Sequence, residues 1–214
     1  MIGPHDPDGP EIATVPEVKP VSSFNIPNAL TMLRIVLVPV FVWLLMRDGG
    51  ADSGSDSGAD RWWATIVFVV ATITDWVDGS MARRNGQITA FGKLMDPIAD
   101  KALMGSALIC LSLLGELPWW VTVVILVREI GITLMRFVVI RRGVIPASRG
   151  GKLKTVLQAV GLILMLAPLG TVLGTLGLWV MYAAAIVTVV TGIDYVRQAF
   201  GRPASAAAEE TARR

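Results

Sequence analysis

"TDWVDGSMARRNGQITAFGKLMDPIADKA", residues 74–102, decides how this chain is read. It carries four carboxylates, Asp75, Asp78, Asp96 and Asp100, between two strongly apolar stretches, "WWATIVFVVATI" (62–73) and "LMGSALICLSLL" (103–114). A charged side chain in hydrocarbon costs at least ~2.5 kcal/mol on insertion scales, so acids built into membrane-grade helices mark function. Asp75 and Asp78 are three residues apart, Asp96 and Asp100 four, and either step puts two side chains on one helix face. Two antiparallel neighbours would bring all four to one point near the membrane surface. Bare carboxylates so close repel, and some would take up protons. Divalent cations remove that conflict, and an all-oxygen ligand set suits Mg²⁺ or Mn²⁺. A plainer alternative is four acids that end helices and face headgroups. It leaves Gly79, Ala82 and Gly92 unexplained, small residues among the acids that suit close approach by a bulky anionic ligand. Arg83 adds a planar cation for a phosphate.

Working outward, the chain has 214 residues, 53% of them hydrophobic, and a mean hydropathy of +0.61. Charged residues make up 17%, below the roughly 25% of an average soluble domain. The composition is that of an all-α integral membrane protein. The single cysteine, Cys110, excludes an intrachain disulfide framework and reads as a small apolar residue. His5 stands alone in a polar segment. Residues 1–23 are rich in proline and acids with no apolar run, which argues against a secretory signal and for a disordered tail. Residues 201–214 read the same way, leaving a membrane domain over 24–200.

A membrane span needs ~20 mostly apolar residues, and six are expected. They run from Asn28 to Met46, Arg61 to about Ala82, about Gly92 to Leu114, Pro118 to about Arg142, about Lys152 to Leu173, and about Leu176 to Phe200. The last break rests on Gly170, Gly174 and Gly177. Basic residues set the orientation. Lys19, Arg83, Arg84, Lys93, Arg141, Arg142, Arg149, Lys152, Lys154, Arg197 and Arg202 all fall on one side, against Arg47 and Arg61 on the other. Both termini are therefore expected in the cytoplasm, with Trp62, Trp63, Trp119, Trp120 and Trp179 as an outer aromatic belt. In the loop "DGGADSGSDSGAD" (48–60), Asp52, Asp56 and Asp60 leave a calcium site open. No bidentate Glu follows at EF-hand spacing, so a solvated linker is the better reading.

The acidic stretch resembles a known signature. Asp75-x₂-Asp78-Gly79-x₂-Ala82-Arg83-x₈-Gly92-x₃-Asp96-x₃-Asp100 matches the CDP-alcohol phosphotransferase motif at every fixed position. The resemblance implies a six-helix membrane enzyme with its active site at the cytoplasmic ends of helices 2 and 3. It implies two divalent ions, Mg²⁺ or Mn²⁺, held by Asp75, Asp78, Asp96 and Asp100, with Asp100 also the general base. It implies CDP-lipid contacts from Gly79, Arg83 and Thr89, joined by Asn28 and Thr31 of "PNALT". Asn28 reads equally as a helix cap, and Thr89 as an ordinary loop hydroxyl.

The acceptor must be read elsewhere. "LVREIGITLMRF" (126–137) puts Arg128, Glu129 and Arg136 inside the fourth span. Arg128 lies ~20 Å from the basic end, too deep to snorkel, so a polar cavity and a carboxylate partner are expected. Glu129 is its neighbour in sequence but points elsewhere on the helix, which leaves a partner from another span open. Arg136 is better placed to meet a substrate. "RGGKLKT" (149–155) sets Arg149, Lys152 and Lys154 beside a glycine pair, where they could close on a phosphate. Arg141 and Arg142 read as topology charges. Together, "NIPNALTMLRI", "REIGITLMR" and "GKLKT" resemble the phosphatidylglycerophosphate synthase branch. That branch implies CDP-diacylglycerol and glycerol 3-phosphate as substrates, a homodimer in the inner (plasma) membrane, and no nucleic-acid partner. A cardiolipin synthase using phosphatidylglycerol is the alternative within the family, as are enzymes using inositol phosphate or serine. A metal- or proton-coupled transporter is the alternative outside it, disfavoured because the acids sit at one face and no internal repeat is seen.

Overall fold

A computed structural model describes residues 26–49, 58–85, 90–139 and 149–201, with side chains for 29–49, 58–74, 95, 98–135 and 153–197. Six α-helices occupy these residues: α1 Ile26–Asp48, α2 Gly58–Asn85, α3 Ala90–Leu113, α4 Trp119–Val139, α5 Arg149–Leu166 and α6 Thr171–Gly201. No strand occurs among the described residues. The expected tails, 1–23 and nearly all of 201–214, lie outside them, as do Asp52, Asp56, Arg141 and Arg142.

Local chemistry sets the helix ends. Pro27 occupies the first turn of α1, where a missing N–H costs nothing. After α3 the chain turns at Gly115, whose φ of 75° a side chain would strain, and Pro118 precedes α4. The end of α5 corrects the sequence reading. Helix α5 stops at Leu166, Pro168 and Gly170 (φ 90°) make the break, and Leu173, Gly174 and Gly177 all lie inside α6. Gly177 is there for packing. A Cβ on it would stand 2.8 Å from Cγ of Met165 and 3.0 Å from the Met165 amide nitrogen.

Polar contacts fix the topology. Arg61, at the start of α2, reaches Asp48 at the end of α1, Glu116 just past α3, and the Leu166 carbonyl at the end of α5. Further along the bundle, Lys101 halfway along α3 and Lys154 early in α5 both reach Glu129, halfway along α4, while Arg128 reaches Thr191 in the second half of α6. Odd-numbered helices therefore run one way and even-numbered helices the other. The most extensive pairings are α1 with α2 and α5 with α6; α1 also packs on α3 and α4 on α6.

The core is a column of Phe41, Phe68, Leu103, Leu108, Leu111, Ile125, Leu162, Leu166 and Met181, with Cys110 buried in it. Phe41 and Phe68 meet with ring centroids 5.5 Å apart. Outside it the surface stays apolar: Val172 is 83% exposed, Val127 66%, Ile186 64% and Val190 60%. Apolar exposure on helix after helix far exceeds the isolated patches of a soluble domain and suits a lipid surround. Among the described residues, two helical stretches, Ala29–Asp48 and Thr171–Arg197, are long and apolar enough to cross a membrane by themselves, and Leu153–Leu166 is shorter but apolar. Trp62, Trp63, Trp119, Trp120 and Trp179 are all exposed near the Arg61 end, where amphipathic rings suit an interface.

Candidate active site

Asp75, Asp78, Gly79 and Arg83 lie on α2, and Asp96 and Asp100 on α3, the two helices joined by residues 86–89. Both helices run further than their sequence suggested. Helix α2 continues seven residues past Asp78, and α3 begins six residues before Asp96. At ~1.5 Å per residue Asp78 and Asp96 lie about 10 Å in from the helix ends, and Asp75 and Asp100 about 15 Å. The side chains of Asn28, Asp75, Asp78, Gly79, Arg83 and Asp96 are outside the described set, and Thr89 is outside it altogether. Among the described side chains no group of three or more potential metal ligands converges. The donor set itself, four carboxylates on two consecutive antiparallel helices, is the chemistry that hard divalent ions take.

Asp100 is described, half-buried, and lines a cavity of about 150 Å³. Lys101, Gly105, Glu129, Thr155 and Gln158 share that cavity with apolar side chains of α3 and α4. Such a volume suits a small polar molecule rather than an acyl chain. Thr31, expected to touch the CDP-lipid, is buried on α1. One turn on, Arg34 is fully buried and donates from Nε to the Ala71 carbonyl at 3.3 Å, one turn before Asp75 on α2. Sequence reasoning passed over Arg34; the signal was its place, three residues after Thr31 inside an apolar run.

Glu129 is the centre of the second group. Its carboxylate accepts from Lys154 of α5 and from Arg128 at 3.1 Å, and lies 3.8 Å from the Lys101 ammonium. Lys101 also donates to the Thr133 hydroxyl and to the Glu129 carbonyl at 3.3 Å. Arg128 continues to Thr191 at 3.3 Å, crossing α6 where Gly192 leaves it room; a Cβ there would come within 3.2 Å of Cγ of Arg128. The carboxylate partner expected for Arg128 thus exists, but it is the sequence neighbour and not a residue from another span. A long guanidinium arm overcomes the divergent directions of adjacent helical positions. Of the expected acceptor residues, Lys154 is buried and joined to Glu129. Arg136 lies seven residues beyond Glu129 on α4, and Arg149 and Lys152 lie in the first turn of α5, all three with side chains outside the described set. Lys101 was missed because its partners stand 28 and 32 residues away in sequence.

A larger cavity, about 550 Å³, lies at the opposite end beside Arg61, Asp48, Glu116 and Thr171. Arg61 was read as an outer topology charge but is 8% exposed. It donates to Asp48 at 3.1 Å, to Glu116 at 2.6 Å and to the carbonyls of Leu166 (3.1 Å) and Met165 (2.9 Å). With a second contact to Glu116, all five guanidinium N–H donors are engaged. That cavity is remote from the acids, and its cation has nothing left to offer a ligand.

The chain is similar to known enzymes along most of its length. It is 55% identical over 175 residues to a probable phosphatidylglycerophosphate synthase of Mycobacterium tuberculosis, covering 82% of this chain and 81% of the relative. It is 38% identical over 183 residues to the CDP-diacylglycerol–glycerol-3-phosphate 3-phosphatidyltransferase of Bacillus subtilis, covering 80% and 93%. A CMP-forming cardiolipin synthase of Streptomyces coelicolor is 36% identical over 149 residues, covering 68% and 66%. A model of the CDP-alcohol phosphatidyltransferase family matches residues 24–190, a stretch that contains all four aspartates and the Glu129 cluster. With that match and relatives this similar over four-fifths of its length, the chain belongs to the CDP-alcohol phosphatidyltransferase family.

Proposed function

We propose that this enzyme transfers the phosphatidyl group of CDP-diacylglycerol to sn-glycerol 3-phosphate, giving phosphatidylglycerophosphate and CMP. The observation that carries the acceptor is the cationic group around Glu129, beside Asp100 and its small cavity. A phosphate monoester is small and doubly charged, and so matches a tight site with more cations than anions. Phosphatidylglycerol would bring two acyl chains and only one phosphodiester charge.

Members of this family generally use divalent metal ions. In this reading two ions, Mg²⁺ or Mn²⁺, are held by Asp75, Asp78, Asp96 and Asp100. Bound there, they supply charge stabilisation at the pyrophosphate. Asp100 takes the proton from the attacking hydroxyl of the acceptor. The hydroxyl oxygen bonds to the phosphatidyl phosphorus, the pyrophosphate P–O bond breaks, and CMP leaves with the electron pair. Gly79, Arg83 and Thr89, with Asn28 and Thr31, hold the CDP-lipid. Arg136, Arg149, Lys152 and Lys154 hold the acceptor phosphate. The six helices cross the plasma membrane with both termini and the aspartates on the cytoplasmic side, and the enzyme works as a homodimer.

The test is direct. Purified protein receives CDP-diacylglycerol, a divalent cation and a panel of labelled acceptors, and the lipid product is identified. Phosphatidylglycerophosphate as the main product supports the reading. Cardiolipin from phosphatidylglycerol would replace it with the alternative that the Streptomyces relative represents.

A further inference from the structure

Glu129 is set among cations from three helices: Lys101 of α3, Arg128 of its own α4 and Lys154 of α5. Lys154 is 7% exposed, and a lone ammonium so buried would either cost several kcal/mol or lose its proton. The three cations repel one another, and without an anion between them they would spread into whatever space is open. The carboxylate gathers them instead: it lines the cavity together with Asp100 and Lys101, and Lys154 and Arg128 join through their contacts to Glu129. Among the described side chains, Glu129 and the Asp100 carboxylate on the same cavity set two negative charges against three positive, which leaves one positive charge in excess for a ligand. The Lys101 ammonium is also tethered to Thr133 and is a third exposed, well placed to turn towards an incoming anion.

We infer that Glu129 is a positioning residue for the acceptor, holding Lys101 at the cavity it shares with Asp100 and keeping Lys154 paired next to it, and that Lys101 is a further contact for the acceptor phosphate. This rests on the reading of the acceptor as a phosphate monoester held by the cationic pocket. Glu129 acts through the lysines it holds, Lys101 above all.

The experiment measures half-saturation for both substrates and turnover in the full-length enzyme carrying Glu129→Gln, Glu129→Asp or Lys101→Met. Size-exclusion profile and thermal midpoint are recorded for each. Glu129→Gln should raise the half-saturation for glycerol 3-phosphate about ten- to a hundredfold, the scale of a lost charge-assisted contact. That for CDP-diacylglycerol should stay within about twofold, the scale of side-chain changes that remove no contact. Glu129→Asp, which keeps the charge, should recover part of the loss, and Lys101→Met should weaken the acceptor about tenfold. If Glu129→Gln gives no folded protein, Lys101→Met carries the test, since that side chain is partly exposed. A lower half-saturation for glycerol 3-phosphate in Glu129→Gln would overturn the inference, showing that Glu129 merely competes with phosphate for Lys154. So would an equal loss for both substrates tracking the thermal midpoint, with Asp no better than Gln. Lys154→Ala and Arg149→Ala separate the two claims. If they weaken the acceptor and Glu129→Gln and Lys101→Met do not, only this inference fails; if none of the four does, the cationic-pocket reading fails with it.

Discussion

Two charge clusters tie this helix bundle together, one at the Arg61 end and one about halfway along α3 and α4, and they are built on opposite plans. At one end a cation, Arg61, is ringed by acceptors: two carboxylates and two carbonyls from the end of α5. In the second cluster an anion, Glu129, is ringed by donors: two lysines and an arginine from three helices. Around Arg61 every donor is used. Around Glu129 there is more positive charge than one carboxylate answers, beside a cavity shared with Asp100. A saturated cluster holds helices together, whereas one with charge to spare next to space can bind a ligand. The larger cavity belongs to the saturated end. The proposed acceptor site is therefore the smaller of the two cavities.

The difference can be broken experimentally, and the largest effect is expected at the aspartates. Asp75→Asn or Asp96→Asn should abolish turnover, and a chelator should do so reversibly, because the metal clamp needs anionic oxygens. Asp100→Asn should cost several orders of magnitude in the chemical step and keep some affinity for CDP-diacylglycerol. Substantial turnover in any of these variants would remove the catalytic end from the comparison.

Next in size is the saturated end. Arg61→Gln takes the shared buried cation away from Asp48 and Glu116, and losing one partner of a buried ion pair typically costs ~3–5 kcal/mol. A large fall in thermal midpoint is expected, with half-saturation for both substrates unchanged in the protein that remains folded. Smaller again is the contrast between Arg149→Ala and Arg142→Ala. The first should raise the half-saturation for glycerol 3-phosphate about ten- to a hundredfold, and the second should leave it alone. If the two behave alike, the basic residues there are topology charges. The smallest effect belongs to Gly177→Ala, which forces a methyl against the Met165 backbone and should cost ~1–3 kcal/mol of stability with no substrate-specific change.

The helix count and the acidic signature were legible because charges stand out against apolar runs and the 75/78 and 96/100 spacings survive without knowledge of neighbours. The break between α5 and α6 was misplaced because glycine in an apolar helix has two readings. Gly170 bends the chain, whereas Gly177 makes room for Met165, and only the facing helix tells them apart. Arg61 looked like a loop charge because its acceptors are up to 105 residues away. The same holds for Lys101, whose meaning comes from α4. The pairing of Arg128 with Glu129 was discounted because adjacent helical positions diverge, an argument about Cβ directions that a flexible arginine can escape.

The measurement that bears most directly on the account is the half-saturation for glycerol 3-phosphate in Lys154→Ala beside Arg61→Gln, on folded enzyme at one fixed donor concentration. Both residues are buried cations paired with carboxylates, so they differ in the respect that matters and little else. Half-saturation should rise about ten- to a hundredfold in Lys154→Ala and change within about twofold in Arg61→Gln. Equal shifts in the two, or a shift in Arg61→Gln alone, would contradict this.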